Sequence, residues 1–412
     1  MNDTASATAS TPAGGVDPSM FDEVIDRRST NSVKWAGGRM YLRPDALAAE
    51  PLPMWVADMD FRSPQPVVDA LQAAVAHGLF GYAAGASDGY LDAVTGWQAR
   101  RFGWDVSRDW VLQSPGVVTA LKTAIQAFTV PGDSVLSQPP VYAHFRDDAL
   151  LNGRHPVAAP LTRTEDGYRF DERVFEAAIR DDTRLFILSN PHNPTGNVWS
   201  EGELRAMGEI CQRRGVLVVA DEIHQDLVLD PSRRHIPFAS LGERFAATSI
   251  TCTAPSKTFN LPGLQCANLF VPDRRLRETL RRQFDRNMSP AANLLGMVAA
   301  EAAYAHGEPW LEALLPYLRA NHARFATAVN GLDAGLRVLP AASLYLAWMD
   351  CRGLGMDDDA LERFMLTGAR LWLSPGARFG AEGRGHMRVN LGCPRATVEE
   401  AIRRLATGLA AR

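Results

Sequence analysis

The chain has 412 residues, 46% hydrophobic and 22% charged, with a formal net charge of −4. This length is too great for one ordinary hydrophobic core and fits a two-domain globular enzyme. The mild negative charge argues against nucleic acid as a partner, and no apolar run is long enough to cross a membrane. Residues 1–18 are rich in Thr, Ala, Ser and Gly but lack the features of a secretory signal, so we predict a disordered tail there.

The cysteines give no sign of a disulfide framework or a metal site. Their spacing is neither paired nor typical of metal ligands, at positions Cys211, Cys252, Cys266, Cys351 and Cys393. We therefore predict reduced, mostly buried thiols and a cytoplasmic location.

The N-terminal part of the chain alternates short irregular stretches with helical patterns. Phe21–Trp35 is predicted as a short helix followed by a loop, and the prolines and aspartates of Pro51–Phe61 favour a loop that lines a pocket. Helical periodicity follows in Pro64–Gly78 and Val117–Phe128. The second of these helices follows Ser114-Pro-Gly116, a small-residue turn whose free N–H groups could receive a phosphate.

Four apolar runs without alternation predict strands of a sheet that is covered on both faces. The runs are Ser134–Ser137, Leu185–Leu188, Val216–Ala220 and Thr248–Thr251. The last three begin 31 and 32 residues apart, which is the size of a strand–helix–strand unit, and Glu201–Arg213 has helical periodicity between two of them. The pattern predicts an α/β fold with a mostly parallel central sheet.

The C-terminal part indicates a smaller α+β domain. A helix-rich region over residues 273–332 precedes predicted strands at Leu344–Trp348 and Met387–Leu391, a helix at Asp357–Gly368 and a glycine-rich loop at Gly376–Gly385. We predict an N-terminal segment that packs with the small domain (19–60), a large domain (61–300) and a small domain (301–412).

One lysine stands out from the basic residues. Lysine and arginine together number 43, yet the only lysines are Lys34, Lys122 and Lys257. Arginine cannot lose its proton, whereas a lysine amine can form an imine with an aldehyde. Lys257 follows a predicted strand after a short turn, so we expect it to have a chemical role.

Other polar side chains follow neighbouring strands in the same way, and ligands bind at this end of an open parallel sheet. Asp221 could keep a pyridine nitrogen protonated, Tyr142 could stack on the ring, and Asn193 could donate a hydrogen bond to a phenolic oxygen. Together with a reactive lysine and a helix N-terminus for phosphate, these groups meet the needs of pyridoxal phosphate.

The chain resembles the fold-type I pyridoxal-phosphate enzymes of the class I/II aminotransferase superfamily, and more narrowly the MalY/PatB-like cystathionine β-lyases, or C–S lyases. The stretches that carry the resemblance run from Phe21 to Arg395: FDEVIDRRSTNSVKW, PMWVADMDF, HGLFGY, SNPHNPTGNVWS, ADEIHQDL, SKTFNLPGL, YLAWMD and GRGHMRVNLGCPR. NPHNPTG, DEIH and SK are specific to the superfamily, whereas PMWVADMDF and the GRG-to-GCPR segment indicate the lyase group.

The resemblance implies a role for each residue that matches the family pattern. Lys257 would be the Schiff-base lysine and the base for the substrate Cα proton, and Asp221 would pair with the pyridinium nitrogen. Asn193 would contact the cofactor O3′ and the substrate, His224 would lie near the same oxygen, and Tyr142 would stack on the ring. The phosphate would be held by main-chain groups and one hydroxyl, those of Gly116, Val117, Val118 and Ser256.

The remaining implied roles concern the substrate and a second subunit. Arg388 would bind the substrate carboxylate through two hydrogen bonds, and Trp55 would form a wall of the pocket. Tyr82 would reach the phosphate in the neighbouring subunit of a homodimer. The small residues that follow it, Ala83–Gly85, would widen the entrance for a bulkier substrate.

The chain departs from the superfamily pattern at two positions near the phosphate. Ala254 stands where relatives often have a serine ligand, and Gln265 stands where many aminotransferases have an arginine. The resemblance therefore implies a lighter hold on the phosphate, or a substitute ligand in Thr253.

The leading functional prediction is β-elimination from cystathionine or another cysteine S-conjugate, giving a thiol, pyruvate and ammonia. The residues serve transamination almost equally well, so an aminotransferase remains an alternative. A regulatory relative that has kept the fold is a third possibility, against which the intact Lys257, Asp221 and Arg388 argue.

Overall fold

The computed structural model describes residues 16–289 and 292–412. We predicted a disordered tail over residues 1–18, and the first 15 of these lie outside the described residues. From there the chain enters a 3-10 helix, Pro18–Asp22, which the Asp17 side chain caps by accepting a hydrogen bond from Ser19 N at 2.9 Å.

A seven-stranded sheet forms the centre of the molecule. In spatial order its strands are Val111–Ser114, Ala267–Phe270, Ser249–Thr253, Leu217–Asp221, Thr183–Ser189, Ser134–Ser137 and His155–Ala158. Ala267–Phe270 runs antiparallel to both of its neighbours, and the other pairings are parallel. The predicted α/β fold with a mostly parallel sheet is confirmed.

The four predicted strands all belong to this sheet, with ends shifted by up to two residues. Three strands of this sheet were not predicted: Val111–Ser114, His155–Ala158 and Ala267–Phe270. Each has only four residues, and two of them interrupt the apolar pattern with Gln113 or Asn268, so hydrophobic periodicity alone does not reveal them.

Helices pack around the sheets, and Val117–Phe128, His144–Leu151 and Glu201–Arg213 contact strands of the seven-stranded sheet directly. The helices with eight or more residues are Gln65–His77, Asp88–Phe102, Val117–Phe128, His144–Leu151, Glu201–Arg213, Arg274–Arg286, Leu294–His306, Glu308–Asn330 and Arg395–Ala410. Glu201–Arg213 begins where predicted because Ser200 and Glu203 form a reciprocal capping box. Gln65–His77 ends at Gly78, whose φ of +74° is the left-handed conformation that favours glycine.

A second, four-stranded antiparallel sheet lies in the C-terminal part of the chain. Its strands are, in spatial order, Arg337–Val338, Leu346–Asp350, His386–Asn390 and Ser374–Pro375. The two long strands lie within two residues of their predicted positions. The predicted helix at Asp357–Gly368 is an α-helix, Asp358–Arg363, that continues as a π-helical turn, and the predicted glycine-rich loop contains two 3-10 turns.

The N-terminal segment differs from the prediction of one short helix before a loop. After the 3-10 helix the chain is irregular and then forms two single-turn helices, Val33–Ala36 and Gly38–Tyr41. The segment reaches the C-terminal part through a short parallel pairing of Leu52–Pro53 with Leu371–Trp372. The division into regions 19–60, 61–300 and 301–412 remains a prediction.

All five cysteines are buried and unpaired, as predicted. Among the described residues, none of the helices combines the length and apolar character that crossing a bilayer requires.

Candidate active site

A cavity of about 790 Å³ opens at the carboxyl ends of the parallel strands. Eleven of the twelve predicted site residues line it: Trp55, Gly116, Val117, Val118, Tyr142, Asn193, Asp221, His224, Ser256, Lys257 and Arg388. The topology explains why they meet, because parallel strands end at one edge of the sheet and the residues that follow them lie side by side.

Lys257 lies in the short helix Pro255–Thr258, directly after the strand Ser249–Thr253. Its Nζ donates a hydrogen bond of 2.6 Å to the carbonyl oxygen of Ala57, which also accepts one of 2.8 Å from the Tyr345 hydroxyl. Burial, and next the nearby charge of Arg388, lower the pKa of Lys257 to about 8. About a tenth of the amine is therefore neutral and nucleophilic at pH 7, far more than for an ordinary lysine.

Asp221 ends the strand Leu217–Asp221 and is buried at the cavity wall. Its Oδ1 accepts a hydrogen bond of 3.2 Å from the Ile223 N–H. Burial raises the pKa of Asp221 to about 7, against the opposite effects of that hydrogen bond and of Lys257. A cationic ring nitrogen placed against this carboxylate would favour its ionised form.

Arg388 lies on the strand His386–Asn390 and is 6% exposed. Its guanidinium donates hydrogen bonds only to uncharged acceptors: Asn193 Oδ1 at 3.2 Å, Trp55 O at 3.0 Å and Ser374 Oγ at 3.3 Å. Its Nε has no partner, and burial lowers its pKa to about 10. A buried cation without a carboxylate partner is a place where an anionic ligand is stabilised.

The phosphate end of the predicted site is the start of the helix Val117–Phe128. Gly116 precedes it and no side chain caps it, so its first N–H groups are available to an anion. Gln265 lines the cavity here but Thr253 does not. Thr253 is buried outside the cavity wall beside Tyr304, so the structure contradicts the suggestion that it substitutes as a phosphate ligand.

His224 and Tyr142 form further parts of the wall. Burial lowers the pKa of His224 well below its usual value, so the ring is neutral, and its buried Nδ1 has no hydrogen-bond partner in the protein. The Tyr142 ring centroid lies 5.0 Å from that of His144, and burial raises the pKa of the Tyr142 hydroxyl. Both rings are neutral near pH 7 and present aromatic surface to the cavity.

Trp55 lines the cavity as predicted and belongs to a row of aromatic rings. It stacks on Trp372 with ring centroids 4.3 Å apart, and Tyr41 packs edge-on against it at 5.2 Å. Tyr41 also lines the cavity and was missed because it ends a single-turn helix, which is too short to show a sequence pattern. The contact of Ala57 with Lys257 was also not predicted, because it is made by the main-chain carbonyl and not by the side chain.

Tyr82 is the one predicted site residue that lies away from the cavity. It is fully exposed, and the neighbouring Leu79 and Phe80 are 71% and 62% exposed. Within one chain it does not line the cavity, so its predicted role depends on a second subunit.

The residues that do meet fit pyridoxal phosphate on structural grounds. An amine with a lowered pKa, a buried carboxylate, an uncapped helix N-terminus and an unpaired imidazole nitrogen line one cavity. These groups correspond to the aldehyde, ring nitrogen, phosphate and phenolic oxygen of that cofactor.

Comparison with known proteins gives the family. The model of the family described as aminotransferase class I and II matches residues 57–405. Cystathionine β-lyase PatB of Bacillus subtilis is 42% identical over 391 residues, which cover 94% of this chain and 99% of the relative. The chain therefore belongs to the aminotransferase class I and II family, and the predicted resemblance to that superfamily and to the cystathionine β-lyases is confirmed.

Solved structures agree with this assignment. Cystalysin from Treponema denticola, which contains pyridoxal 5′-phosphate, superposes with a TM-score of 0.90 at 29% identity, over 95% of this chain and 98% of its own. The pyridoxal-phosphate-bound C–S lyase from Staphylococcus hominis superposes with a TM-score of 0.86 at 30% identity, over 94% and 97% of the two chains.

Proposed function

We propose that this protein is a pyridoxal-phosphate-dependent C–S lyase that cleaves cystathionine or another cysteine S-conjugate to a thiol, pyruvate and ammonia. One observation carries the proposal: Lys257 and Arg388 line the same cavity and are tied to main-chain carbonyls only two residues apart, those of Ala57 and Trp55. A base and a carboxylate-binding group are thereby held around one small substrate. Relatives named or described as lyases support the choice of reaction.

The chain's own residues divide the work of holding the cofactor. Asp221 would face the ring nitrogen, Tyr142 the ring, and Asn193 with His224 the phenolic oxygen. The phosphate would be received by N–H groups at a helix start and by one hydroxyl, those of Gly116, Val117, Val118 and Ser256. When bound, pyridoxal phosphate supplies an aldehyde for amines and a ring that accepts the electron pair left on Cα.

The substrate would lie between Arg388 and Lys257. Arg388 binds the carboxylate and so fixes the orientation of Cα, and the neutral amine of Lys257 removes the Cα proton. The departing group carries sulfur from Cβ, toward the side of the cavity that Trp55 and Tyr41 line. The aromatic faces suit a thioether, which is polarisable and weakly hydrated.

We also propose a homodimer. Tyr82 and its exposed apolar neighbours Leu79 and Phe80 lie outside the cavity of their own chain, as expected for a segment that packs against a second copy. In the dimer Tyr82 would donate a hydrogen bond to the phosphate of the neighbouring subunit.

The direct test is incubation of the cofactor-loaded protein with L-cystathionine and a panel of S-alkyl cysteines. Elimination releases equal amounts of thiol, pyruvate and ammonia. The alternative favoured by the family's own name is transamination, which instead needs a keto-acid acceptor and releases neither thiol nor ammonia. Turnover only in the presence of a keto acid would reject the lyase proposal in favour of the aminotransferase.

A further inference from the structure

The segment Trp55–Met59, here called the carbonyl segment, joins distant parts of the chain through five consecutive main-chain carbonyls. The donors are Arg388 and Ser374 on Trp55 O, Asn390 on Val56 O, Lys257 and Tyr345 on Ala57 O, Asn390 and Lys34 on Asp58 O, and Arg27 and Asn260 on Met59 O. The proposed base and the proposed carboxylate-binding residue are therefore both attached to one short stretch of main chain.

At the end of this segment lies an ionic cluster of Arg27, Lys34, Asp58 and Asp60, in which Lys34 and Asp60 are buried and Arg27 and Asp58 are partly buried. Lys34 Nζ lies 2.6 Å from Asp60 Oδ2, and these side chains are 1% and 5% exposed. Arg27 bridges the two carboxylates, at 2.7 Å from Asp60 and 2.8 Å from Asp58. Trp35 Nε1 donates a further hydrogen bond of 2.8 Å to Asp60.

The cluster lies beside the cavity but does not line it. Its two cations come from the stretch FDEVIDRRSTNSVKW and its two carboxylates from PMWVADMDF, so it locks these two sequence motifs together. Removing one member of a buried ion pair is strongly destabilising, because its partner is left unpaired at low dielectric. The intact cluster therefore favours the backbone arrangement in which all its charges are paired. Lys34 is 1% exposed, so an arginine at this position would have to place a larger, planar guanidinium in the same enclosed space.

We propose that Lys34 and Arg27, acting through Asp60 and Asp58, are positioning residues that fix the carbonyl segment and thereby the placement of Lys257 relative to Arg388. They touch neither substrate nor cofactor. The kinetic consequence rests on the proposed lyase function, whereas the consequence for Lys257 itself does not.

The test compares Lys34→Met with Lys122→Met. Lys122 also pairs with a buried carboxylate, Asp148 at 3.4 Å, but neither of these two residues lines the cavity. Both variants therefore lose an ammonium that pairs with a buried acid, from a side chain that is 1% exposed at Lys34 and 40% exposed at Lys122, and only Lys34→Met disturbs the carbonyl segment.

The first measurement is the rate at which the apoprotein captures pyridoxal phosphate as a function of pH, with borohydride fixation and peptide mass analysis at Lys257. The charged or titratable groups that face Lys257 are Arg388, Asp58, Asp221 and His224. In Lys34→Met the Ala57 carbonyl that accepts from Lys257 is no longer held as in wild type, whereas Asp58 keeps its ion pair with Arg27. The midpoint of the capture profile should differ from that of wild type, whereas the midpoint for Lys122→Met should match it.

The second measurement is steady-state kinetics per cofactor-loaded site on one cysteine S-conjugate and on its carboxamide. We expect Lys34→Met to lower kcat/KM by about tenfold or more, with kcat reduced and the preference for the acid diminished. If Lys34 only stabilised the fold, Lys34→Met would lower the melting temperature but would change neither the capture profile nor the kinetic constants.

A folded Lys34→Met protein whose capture midpoint and kinetic constants match those of wild type would overturn the proposal. If that variant yields no folded protein, Lys34→Met/Asp60→Asn removes the unpaired carboxylate and is judged by the same two measurements. If wild type shows no elimination at all, the proposed function fails, and the capture profile still decides whether Lys34 positions Lys257.

Discussion

Asn193 and Arg388 are joined across the cavity by a hydrogen bond of 3.2 Å between Oδ1 and Nη1. Asn193 follows a strand of the seven-stranded sheet, whereas Arg388 belongs to the four-stranded sheet. The residue proposed to contact the cofactor thus touches the residue proposed to bind the substrate carboxylate. A substrate carboxylate bound by Arg388 would therefore be connected to both sheets through this hydrogen bond.

Arg388→Ala should separate recognition from cofactor binding. Loss of two charge-assisted hydrogen bonds to the substrate carboxylate should lower kcat/KM by about 30- to 1000-fold, or on the order of 2–4 kcal/mol. The visible spectrum of the bound cofactor should survive, because Arg388 does not hold the cofactor. Kinetics on a cysteine S-conjugate and its carboxamide measure the effect, and Arg388→Lys should rescue poorly because an ammonium lacks the planar fork.

The outcome that contradicts this role is specific. An Arg388→Ala protein that loses its cofactor, or that prefers the acid over the carboxamide as strongly as wild type, does not use Arg388 to bind the carboxylate.

Lys257→Arg should retain pyridoxal phosphate only non-covalently and should not turn over, because a guanidinium neither forms an imine nor loses its proton. Borohydride treatment followed by peptide mass analysis should place the cofactor on Lys257 in wild type and on no lysine in the variant. Covalent cofactor at Lys34 or Lys122 in reduced wild type would refute the assignment.

The pH dependence of apoprotein stability should reveal Asp221. Its folded pKa of about 7 lies above the ordinary value of 3.8, so the folded state keeps a proton that the unfolded state has lost between these values. Stability from this group is therefore present below about pH 4 and is lost as the pH rises toward 7, by on the order of 1–4 kcal/mol.

Asp221→Asn should remove this part of the pH dependence. The measurement is denaturant unfolding of both apoproteins from pH 4 to 8, and the difference between them isolates the carboxyl. Parallel stability curves for the two proteins would show that Asp221 titrates normally.

Tyr82→Phe tests the shared site. Loss of one hydrogen bond to the phosphate should weaken cofactor binding by roughly tenfold. This is the lower end of the range of about 1.5–3 kcal/mol that a hydrogen bond to a charged group contributes. Light scattering should show a dimer for both proteins, with an interface of the large obligate class. A fully active monomer would disprove the dimeric site.

The sequence alone was enough to predict the fold class and most of the cavity. Buried parallel strands are continuous apolar runs, and residues that follow such strands must meet at one edge, so Asp221, Asn193, Tyr142 and Lys257 could be brought together without coordinates. Arg388 was placed by resemblance, because nothing local to its strand distinguishes it from an ordinary arginine.

Only the tertiary structure decided which groups contact one another across elements far apart in sequence. Lys257 donates a hydrogen bond to the Ala57 carbonyl. Every residue has a main-chain carbonyl, so the sequence does not show which one accepts this bond. The partners of Lys34 and the position of Thr253 away from the cavity likewise depend on packing between distant segments. Periodicity reports which face of an element is buried, whereas the atom that a buried group meets is set by the relative placement of elements.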